Sequence, residues 1–96
     1  PAETIRKYGE RIYDIHLKNF ALNPPGGGKI GDRELTTVPM PRGAIDYARI
    51  FKALAEVGYE DVCAFEYERD FEDNLEGLAE SVGYARGLCD AVPVKK

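Results

Sequence analysis

The chain has 96 residues and a mass of 10.7 kDa, the size of one small domain, which excludes a multidomain protein. Hydrophobic residues make up 44% and charged residues 31% of the sequence, a globular composition that excludes a disordered tail, a collagen-like fibre and a disulfide-stapled miniprotein. A net charge of −4 provides no basic surface for nucleic acid or anionic lipid, so no nucleic-acid partner is expected.

The sequence also predicts where the chain resides. No apolar run approaches the ~20 residues that span a bilayer, and the first residues lack the apolar stretch of a secretory signal. We therefore expect a cytoplasmic protein without a membrane partner. Cys63 and Cys89 lie in apolar-patterned segments without a Cys-x-x-Cys motif or a Cys/His cluster. Both are expected to be buried free thiols, although the even number of cysteines does not exclude a disulfide bond between them.

The first half of the chain predicts a short helix, a strand and a long loop. Residues 4–8 have helical spacing and precede Gly9, whereas residues 12–18 alternate as a strand. The concentration of proline and glycine in residues 21–44 predicts a long irregular loop without regular structure, lying over the carboxyl ends of the strands. The expected apolar face of the strand is Tyr13, Ile15 and Leu17, and the expected polar face is Ile12, Asp14, His16 and Lys18.

The second half predicts a helix, a strand and another helix. The helix covers residues 46–57 with Asp46 as its N-cap, and the strand covers residues 62–68. Asp73 is expected to cap the last helix, and residues 93–96 are expected to fray. The apolar stripe of the first of these helices is Tyr47, Ile50, Phe51, Leu54 and Val57, and that of the last is Leu75, Leu78, Val82, Ala85 and Cys89.

This order of elements predicts an α/β fold, because a strand-helix-strand unit makes a parallel pair. Parallel sheets are covered on both faces, yet each predicted strand has one apolar face and one face rich in ionisable groups. A polar inner face is typical of the mouth of a (β/α)8 barrel, where the carboxyl ends of the strands build the site. We therefore expect residues 1–96 to form a single partial domain, two of the eight units of such a barrel.

His16 and Glu66 are candidate site residues because both point to the inner face near the carboxyl ends of the two parallel strands. An imidazole and a carboxylate are suitable ligands for Mn²⁺, Mg²⁺, Co²⁺ or Zn²⁺. Two ligands are too few for a metal site. The spacing alone therefore favours the alternative, a hydrogen bond between His16 and Glu66 without a metal.

An ordered series of short stretches covers most of the chain. The stretches are YDIHLKN at 13–19, GAIDY at 43–47, IFKAL at 50–54, VGY at 57–59 and AFEYE at 64–68. This series resembles the last quarter of the sugar phosphate isomerase/epimerase family, the xylose-isomerase-like TIM-barrel superfamily. The resemblance implies the C-terminal βαβα quarter of a (β/α)8 TIM barrel, with two parallel strands and flanking helices. It also implies a divalent metal ion and a sugar or sugar phosphate as substrate.

The resemblance also implies roles for individual residues. His16 and Glu66 match the family's metal ligands on the last two strands, and Glu66 matches its acid/base residue. A carboxylate there could take a proton α to a carbonyl, giving an enediolate that the cation stabilises. Lys18 matches a lysine that could meet a substrate oxygen or phosphate, with a solvated strand-end lysine as the alternative. Asn19 stands where the family has aspartate.

Glu68 and Asp14 are the other ionisable residues expected near the site. Glu68 is expected at the rim or in an ion pair, and Asp14 is expected to pair with Lys18 or with arginines. The family's remaining two metal ligands have no counterpart in this sequence, so the metal would be incompletely liganded and the chain resembles the C-terminal part of a truncated or cleaved barrel.

Two classes of function therefore stay open. The first is a metal-dependent isomerase or epimerase, or an inosose dehydratase-like lyase, to which this chain contributes the C-terminal part. The second is a non-catalytic fragment that folds by self-association, because exposed strand edges and an uncovered inner face promote a homo-oligomer.

Overall fold

Helices and short strands alternate along the chain. The computed structural model describes residues 1–22, 35–68 and 72–92. Two 3-10 helices, Gly9–Arg11 and Met40–Arg42, accompany the regular elements. In chain order these are α1 (Ala2–Tyr8), β1 (Ile15–Leu17), β2 (Asn19–Leu22), β3 (Leu35–Val38), α2 (Tyr47–Glu56), β4 (Cys63–Phe65) and α3 (Leu75–Ala91).

Strands β1 and β4 pair in parallel, which confirms the α/β fold with a parallel strand pair and flanking helices. His16 lies opposite Ala64 and Leu17 lies opposite Phe65. Both strands are shorter than the predicted ranges 12–18 and 62–68, because the ladder joins only three residues of each. Hydrogen bonds from the Glu66 N–H to the Leu17 carbonyl (2.9 Å) and from the Ile15 N–H to the Val62 carbonyl (3.3 Å) extend the pairing at its two ends.

Helix α2 connects the two parallel strands and has the predicted cap at each end. The Asp46 side chain accepts a hydrogen bond from the Arg49 N–H (3.3 Å). Gly58 has φ of +71°, a conformation that favours glycine, and the Tyr59 N–H donates to the Leu54 carbonyl (3.0 Å). The helix ends at Glu56, one residue before the predicted end at residue 57, and Gly58 follows it as predicted.

The hydrophobic core lies between the helices and one face of the β1–β4 pair. Tyr13 was expected on this face, but it is 77% exposed, and Ile12 packs against the core instead. The prediction is wrong because residues 12–14 precede the ladder, so strand alternation does not apply to them. The buried core residues are Ala2, Ile5, Leu17, Met40, Tyr47, Ile50, Phe51, Ala53, Leu54 and Ala85.

The expectation of an irregular stretch over residues 21–44 differs from the structure at its two ends. Strands β2 and β3 form an antiparallel pair, with Asn19 opposite Val38 and Leu22 opposite Leu35. The chain breakers concentrate between the strands, whereas β3 has the sequence LTTV, rich in β-branched residues that favour strands. Residues 23–34 lie outside the described residues, so the placement of this loop over the strand ends stays a prediction.

Helix α3 buries the predicted stripe only in part, because Ala85 is buried and Leu78 and Val82 are half-buried. Leu75 is 73% exposed and Cys89 is also exposed, whereas Gly77, Ser81 and Ala85 are buried. Small residues are needed here because a Cβ atom on Gly77 would overlap the Tyr67 ring. The Ser81 hydroxyl accepts a hydrogen bond from the Met40 N–H (2.9 Å), which holds the helix close to the 3-10 helix Met40–Arg42.

The predicted frayed tail, residues 93–96, lies outside the described part of the chain. Helix α3 has 17 residues, and among the described residues no helix is long and apolar enough to cross a membrane.

Asn19 joins strand β1 to the segment before helix α2. Its side chain is buried, with the residue 1% exposed. The amide nitrogen donates to the carbonyls of Met40 (2.8 Å) and Ile45 (3.0 Å), and the amide oxygen accepts from the N–H groups of Phe20 and Ile45, each at 2.9 Å. Gly43 allows this arrangement, because a Cβ atom there would overlap the Asn19 amide. Asparagine therefore has a structural role at this position.

Replacement of Asn19 by aspartate (Asn19→Asp) should destabilise the protein. A carboxylate cannot donate to the carbonyls of Met40 and Ile45, so a buried charge would face two unsatisfied acceptors. We expect the free energy of unfolding to fall by about 3 kcal/mol, measured by urea denaturation. Asn74→Asp is the matched control, because Asn74 is the exposed N-cap of α3 and should change stability by less than about 0.5 kcal/mol. Equal effects of the two substitutions would contradict this role.

Candidate active site

The candidate site lies on the face of the β1–β4 pair that the helices do not cover. His16 is opposite Ala64 in the ladder, and Glu66 follows Ala64 by two residues, so both side chains point to the same face. Lys18 follows His16 by two residues and shares this face. The structure therefore brings the three predicted site residues together.

Glu66 is the centre of this cluster. Its Oε1 lies 2.6 Å from His16 Nδ1, and its Oε2 accepts a hydrogen bond from Lys18 Nζ at 2.9 Å. Lys18 Nζ also donates to Glu68 Oε1 at 3.1 Å. The hydrogen bond between His16 and Glu66 is therefore present, and Glu68 is in an ion pair, as the sequence predicts. Lys18 forms ion pairs with Glu66 and Glu68. The alternative expectation, a lysine whose ammonium group contacts only solvent, therefore does not hold in the structure.

His16 also contacts Asp14 through its second ring nitrogen. His16 Nε2 lies 3.3 Å from Asp14 Oδ2, so the expected pairing of Asp14 with Lys18 is wrong. The reason is that Asp14 precedes the ladder and lies beside His16 rather than near the strand end. The hydrogen bond with Glu66 and the charge of Asp14 raise the pKa of His16 above its ordinary 6.5. The imidazolium is favoured because both nitrogens can then donate.

The pKa of Glu66 is shifted in the opposite direction. The hydrogen bonds from Lys18 and then from His16 lower the pKa of Glu66 below 4.5, and the same contact with Glu66 raises the pKa of Lys18. The stability contribution of His16 is complete below pH 6.5 and is lost as the pH rises through its folded pKa, whereas that of Glu66 is complete above pH 4.5 and is lost on acidification. The pair is therefore strongest between these two pH values.

Tyr47 holds the backbone at the end of β1. Its hydroxyl donates to the Lys18 carbonyl (2.6 Å) and accepts from the Lys18 N–H (3.0 Å). Tyr47 is 5% exposed, and burial raises its pKa. The sequence pattern assigned it only to the apolar stripe of the helix. The available signal was the phenol itself, because a buried tyrosine hydroxyl usually has a hydrogen-bond partner.

The side chains of this face fit a divalent cation in part. His16 and Glu66 supply a nitrogen and carboxylate oxygens on the same open face, which is the donor chemistry of Mn²⁺, Mg²⁺, Co²⁺ and Zn²⁺ sites. Within residues 1–22, 35–68 and 72–92, no group of three His, Cys, Asp or Glu side chains is arranged to hold a metal ion. A complete coordination shell would therefore need ligands from outside the described part of the chain.

A parallel strand pair with flanking helices and ionisable groups at the strand ends is typical of enzymes with a (β/α)8 barrel. The profile of the xylose isomerase-like TIM barrel family matches residues 1–88. The chain belongs to this family.

Curated relatives include two named inosose dehydratases and one mannonate dehydratase. Inosose dehydratases of Clostridium botulinum strains Eklund 17B and Alaska E43 are each 36% identical over 80 residues, which cover 73% of this chain. Mannonate dehydratase of Enterococcus faecalis is 30% identical over 101 residues, which cover 96% of this chain. The matches cover 26% of each relative, so the chain spans about a quarter of their length.

The pKa of His16 should be measurable directly by NMR titration in the presence of a chelator, since His16 is the single histidine of the sequence. We expect a pKa above 6.5 in the wild type and a decrease toward 6.5 in the Glu66→Gln variant, because the strongest hydrogen bond to the ring then loses its charge. A smaller decrease is expected for Asp14→Asn.

Glu68→Gln is the matched control for this titration. Glu68 contacts Lys18 (3.1 Å), whereas the ring contacts of His16 are with Glu66 and Asp14. The substitution should therefore leave the His16 pKa close to the wild-type value. A wild-type pKa of 6.5 or lower would show that His16 and Glu66 are not in contact in solution.

Removal of the Tyr47 hydroxyl in the Tyr47→Phe variant should destabilise the end of β1. The Lys18 N–H and carbonyl would each lose a partner beside a buried ring, and we expect a loss of about 1 to 3 kcal/mol in the free energy of unfolding. Urea denaturation measures this loss. Tyr13→Phe, at a residue that is 77% exposed, should change stability by less than about 0.5 kcal/mol. An equally small effect of Tyr47→Phe would show that the Tyr47 hydroxyl does not stabilise the end of β1.

Proposed function

We propose that this chain is part of a dehydratase that acts on a sugar-derived, polyhydroxylated substrate by removing a proton α to a carbonyl group. The observation that carries the proposal is the position of the Glu66 carboxylate, 2.6 Å from His16 Nδ1 and 2.9 Å from Lys18 Nζ, on the face of the strands that the described helices leave uncovered. Such a carboxylate can accept a proton from a carbon acid held over this face.

The names of the relatives support elimination of water. An inosose is a cyclic polyhydroxy ketone and mannonate is a polyhydroxy carboxylate, and relatives of this chain are named as dehydratases of both. The two compounds share a C–H bond next to a carbonyl carbon and a hydroxyl group on the following carbon. Removal of that proton, followed by departure of that hydroxyl, gives loss of one water from either compound.

Glu66 is the proposed proton acceptor. Its lowered pKa keeps the carboxylate ionised at neutral pH. The shift also makes Glu66 a weaker base, so the transfer depends on a C–H bond that the neighbouring carbonyl group acidifies. The same shift means that the carboxylate releases the proton readily after the transfer. One carboxylate oxygen faces His16 and the other faces Lys18.

Lys18 is proposed to bind a substrate oxygen. Its raised pKa keeps the ammonium group charged, so it acts as a hydrogen-bond donor rather than as a proton donor. A positive charge beside Glu66 would stabilise negative charge that develops on the substrate oxygen when the α-proton leaves. The hydroxyl of Tyr47 supports this role, because it holds both backbone polar groups of Lys18.

His16 and Glu66 are the residues that would hold a divalent metal ion, with the remaining ligands supplied by a longer protein. The ion would polarise the substrate carbonyl and so acidify the neighbouring C–H bond. Metal binding requires a neutral imidazole, and the raised pKa of His16 therefore predicts weaker binding at acidic pH.

Isomerisation or epimerisation of a sugar or sugar phosphate is the second candidate function. It is supported by the match to the xylose isomerase-like family, and it shares the first step, removal of a proton α to a carbonyl. The two functions differ in the next step. A dehydratase releases the hydroxyl of the next carbon, whereas an isomerase or epimerase returns a proton to a carbon of the intermediate.

The test is product analysis with the longest native chain that contains these 96 residues, supplied with Mn²⁺ and with an inosose, mannonate or a ketose in D2O. We expect a product that has lost one water. A product of unchanged mass apart from deuterium on carbon would favour the isomerase or epimerase. Turnover of none of these compounds would contradict the proposal.

Variants of the same protein test the assignment of Glu66. Glu66→Gln should lower kcat by about 100-fold or more, because a general base typically contributes at least this factor. Glu68→Gln is the matched control, since it removes a neighbouring carboxylate that also contacts Lys18, and it should keep most of the activity. Full activity of Glu66→Gln would remove Glu66 from the mechanism.

For the 96-residue chain alone, we propose self-association without catalysis. The pair β1–β4 has two strands, and Tyr13 and Val62 are 77% and 67% exposed near its beginning. Exposed strand edges and apolar side chains promote pairing with a second copy. Sedimentation at micromolar concentration should show a homo-oligomer, and a well-folded monomer would contradict this proposal.

A further inference from the structure

Both cysteines line one cavity on the helix side of the sheet. It has a volume of about 390 Å³ and lies between α2, β4 and α3. Cys63 lines it from the first position of β4, and Cys89 lines it from the last turn of α3. Phe51 and Leu54 form part of the apolar wall. The cavity is separate from the candidate active site, because Cys63 and His16 point to opposite faces of the strand pair.

The two thiols differ in exposure. Both are free, with Cys63 half-buried and Cys89 exposed, so the expectation that both are buried is wrong for Cys89. Cys89 follows Ala85 by four residues and lies on the same side of α3, but it is in the last helical turn, where Arg86, Gly87 and Asp90 are exposed as well. Burial raises the pKa of Cys63.

We propose that Cys63 and Cys89 form an intramolecular disulfide when the protein meets a peroxide, tying the end of α3 to the start of β4. The exposed thiol of Cys89 is the first to react, and the half-buried thiol of Cys63 resolves the product. Neighbouring solvent-accessible and resolving cysteines are the usual arrangement of a redox-sensitive pair.

The chemistry balances with hydrogen peroxide as the oxidant. The Cys89 sulfur attacks the peroxide, the O–O bond breaks, and a sulfenic acid and one water form. The Cys63 sulfur then attacks the sulfur of the sulfenic acid, the S–S bond forms, the S–O bond breaks, and the leaving hydroxide takes the thiol proton as a second water. The two thiols lose two electrons in total, and a dithiol reductant reverses the oxidation.

The bridge changes the attachment of α3 rather than the candidate active site. Helix α3 ends one residue before Val92, whose N–H donates to the Leu88 carbonyl (2.9 Å). A covalent bond from Cys89 to β4 would hold this end of the helix against the strand. Fraying of the last helical turn should therefore decrease on oxidation.

The experiment is oxidation of the full chain by a small excess of hydrogen peroxide, followed by mass spectrometry and peptide mapping. We expect a monomeric product lighter by two hydrogens, with the peptides of Cys63 and Cys89 linked. The linkage should form about tenfold or more faster in the folded chain than in guanidinium chloride, since the fold holds the thiols close and an unfolded chain must close the loop by diffusion.

Variants that lack one cysteine show which of the two thiols reacts first with hydrogen peroxide. In Cys63→Ala, the sulfenic acid of Cys89 should persist and react with dimedone, whereas Cys89→Ala should give little dimedone adduct at Cys63. Circular dichroism shows whether each variant folds, and the wild-type mass measurement is independent of both. Disulfide-linked dimers, sulfinic acid at Cys89 without an internal bridge, or equal rates of linkage in the folded and unfolded chain would overturn the proposal.

Discussion

The parallel pairing of β1 and β4 is the constraint on which the candidate site depends. One ladder places His16 opposite Ala64 and Leu17 opposite Phe65, and the hydrogen bond from the Glu66 N–H to the Leu17 carbonyl continues it past the strand end. Since side chains alternate along a strand, Leu17 and Phe65 face the helices while His16 and Glu66 face away from them. The core and the site are therefore two sides of the same pairing.

Two buried polar side chains hold the backbone where β1 ends. The Tyr47 hydroxyl binds the N–H and the carbonyl of Lys18, and the next residue, Asn19, uses its amide to hold the segment that leads into α2. Both contacts come from residues whose exposure is 5% or less. Lys18 therefore extends to Glu66 and Glu68 from a fixed backbone, which limits the positions that its ammonium group can take.

The sequence predicts the α/β fold, helix α2 and the meeting of His16 with Glu66, because these features depend on local alternation, helical spacing and the geometry of a strand-helix-strand unit. The predictions fail where contacts with distant segments determine which residues of an element are buried. Helix α3 has two stripes of residues with helical spacing, and both include Ala85. The apolar pattern favours the stripe that contains Leu75, Leu78 and Val82, because these side chains are larger. The structure buries the other stripe, because Ser81 hydrogen-bonds to Met40 and Gly77 allows Tyr67 to pack closely.

The roles of individual polar residues were less predictable than the elements. Asn19 stands where the family that the sequence resembles has aspartate. Its amide makes four hydrogen bonds, which no local sequence pattern reveals. Asp14 pairs with His16 rather than with Lys18, since it precedes the ladder that would have set its direction. Long-range hydrogen bonds depend on where distant segments meet, and spacing within one segment contains no information about this.

The pairing of β1 with β4 can be measured through the hydrogen bond between Glu66 and Leu17. Scalar coupling across hydrogen bonds, detected in a long-range HNCO experiment on the isotope-labelled chain, reports the carbonyl that accepts each amide proton. The structure predicts a cross-peak between the Glu66 nitrogen and the Leu17 carbonyl carbon, together with slow amide exchange at Glu66. A cross-peak from Glu66 to a different carbonyl, or rapid exchange of this amide with solvent, would contradict the register and the site built on it.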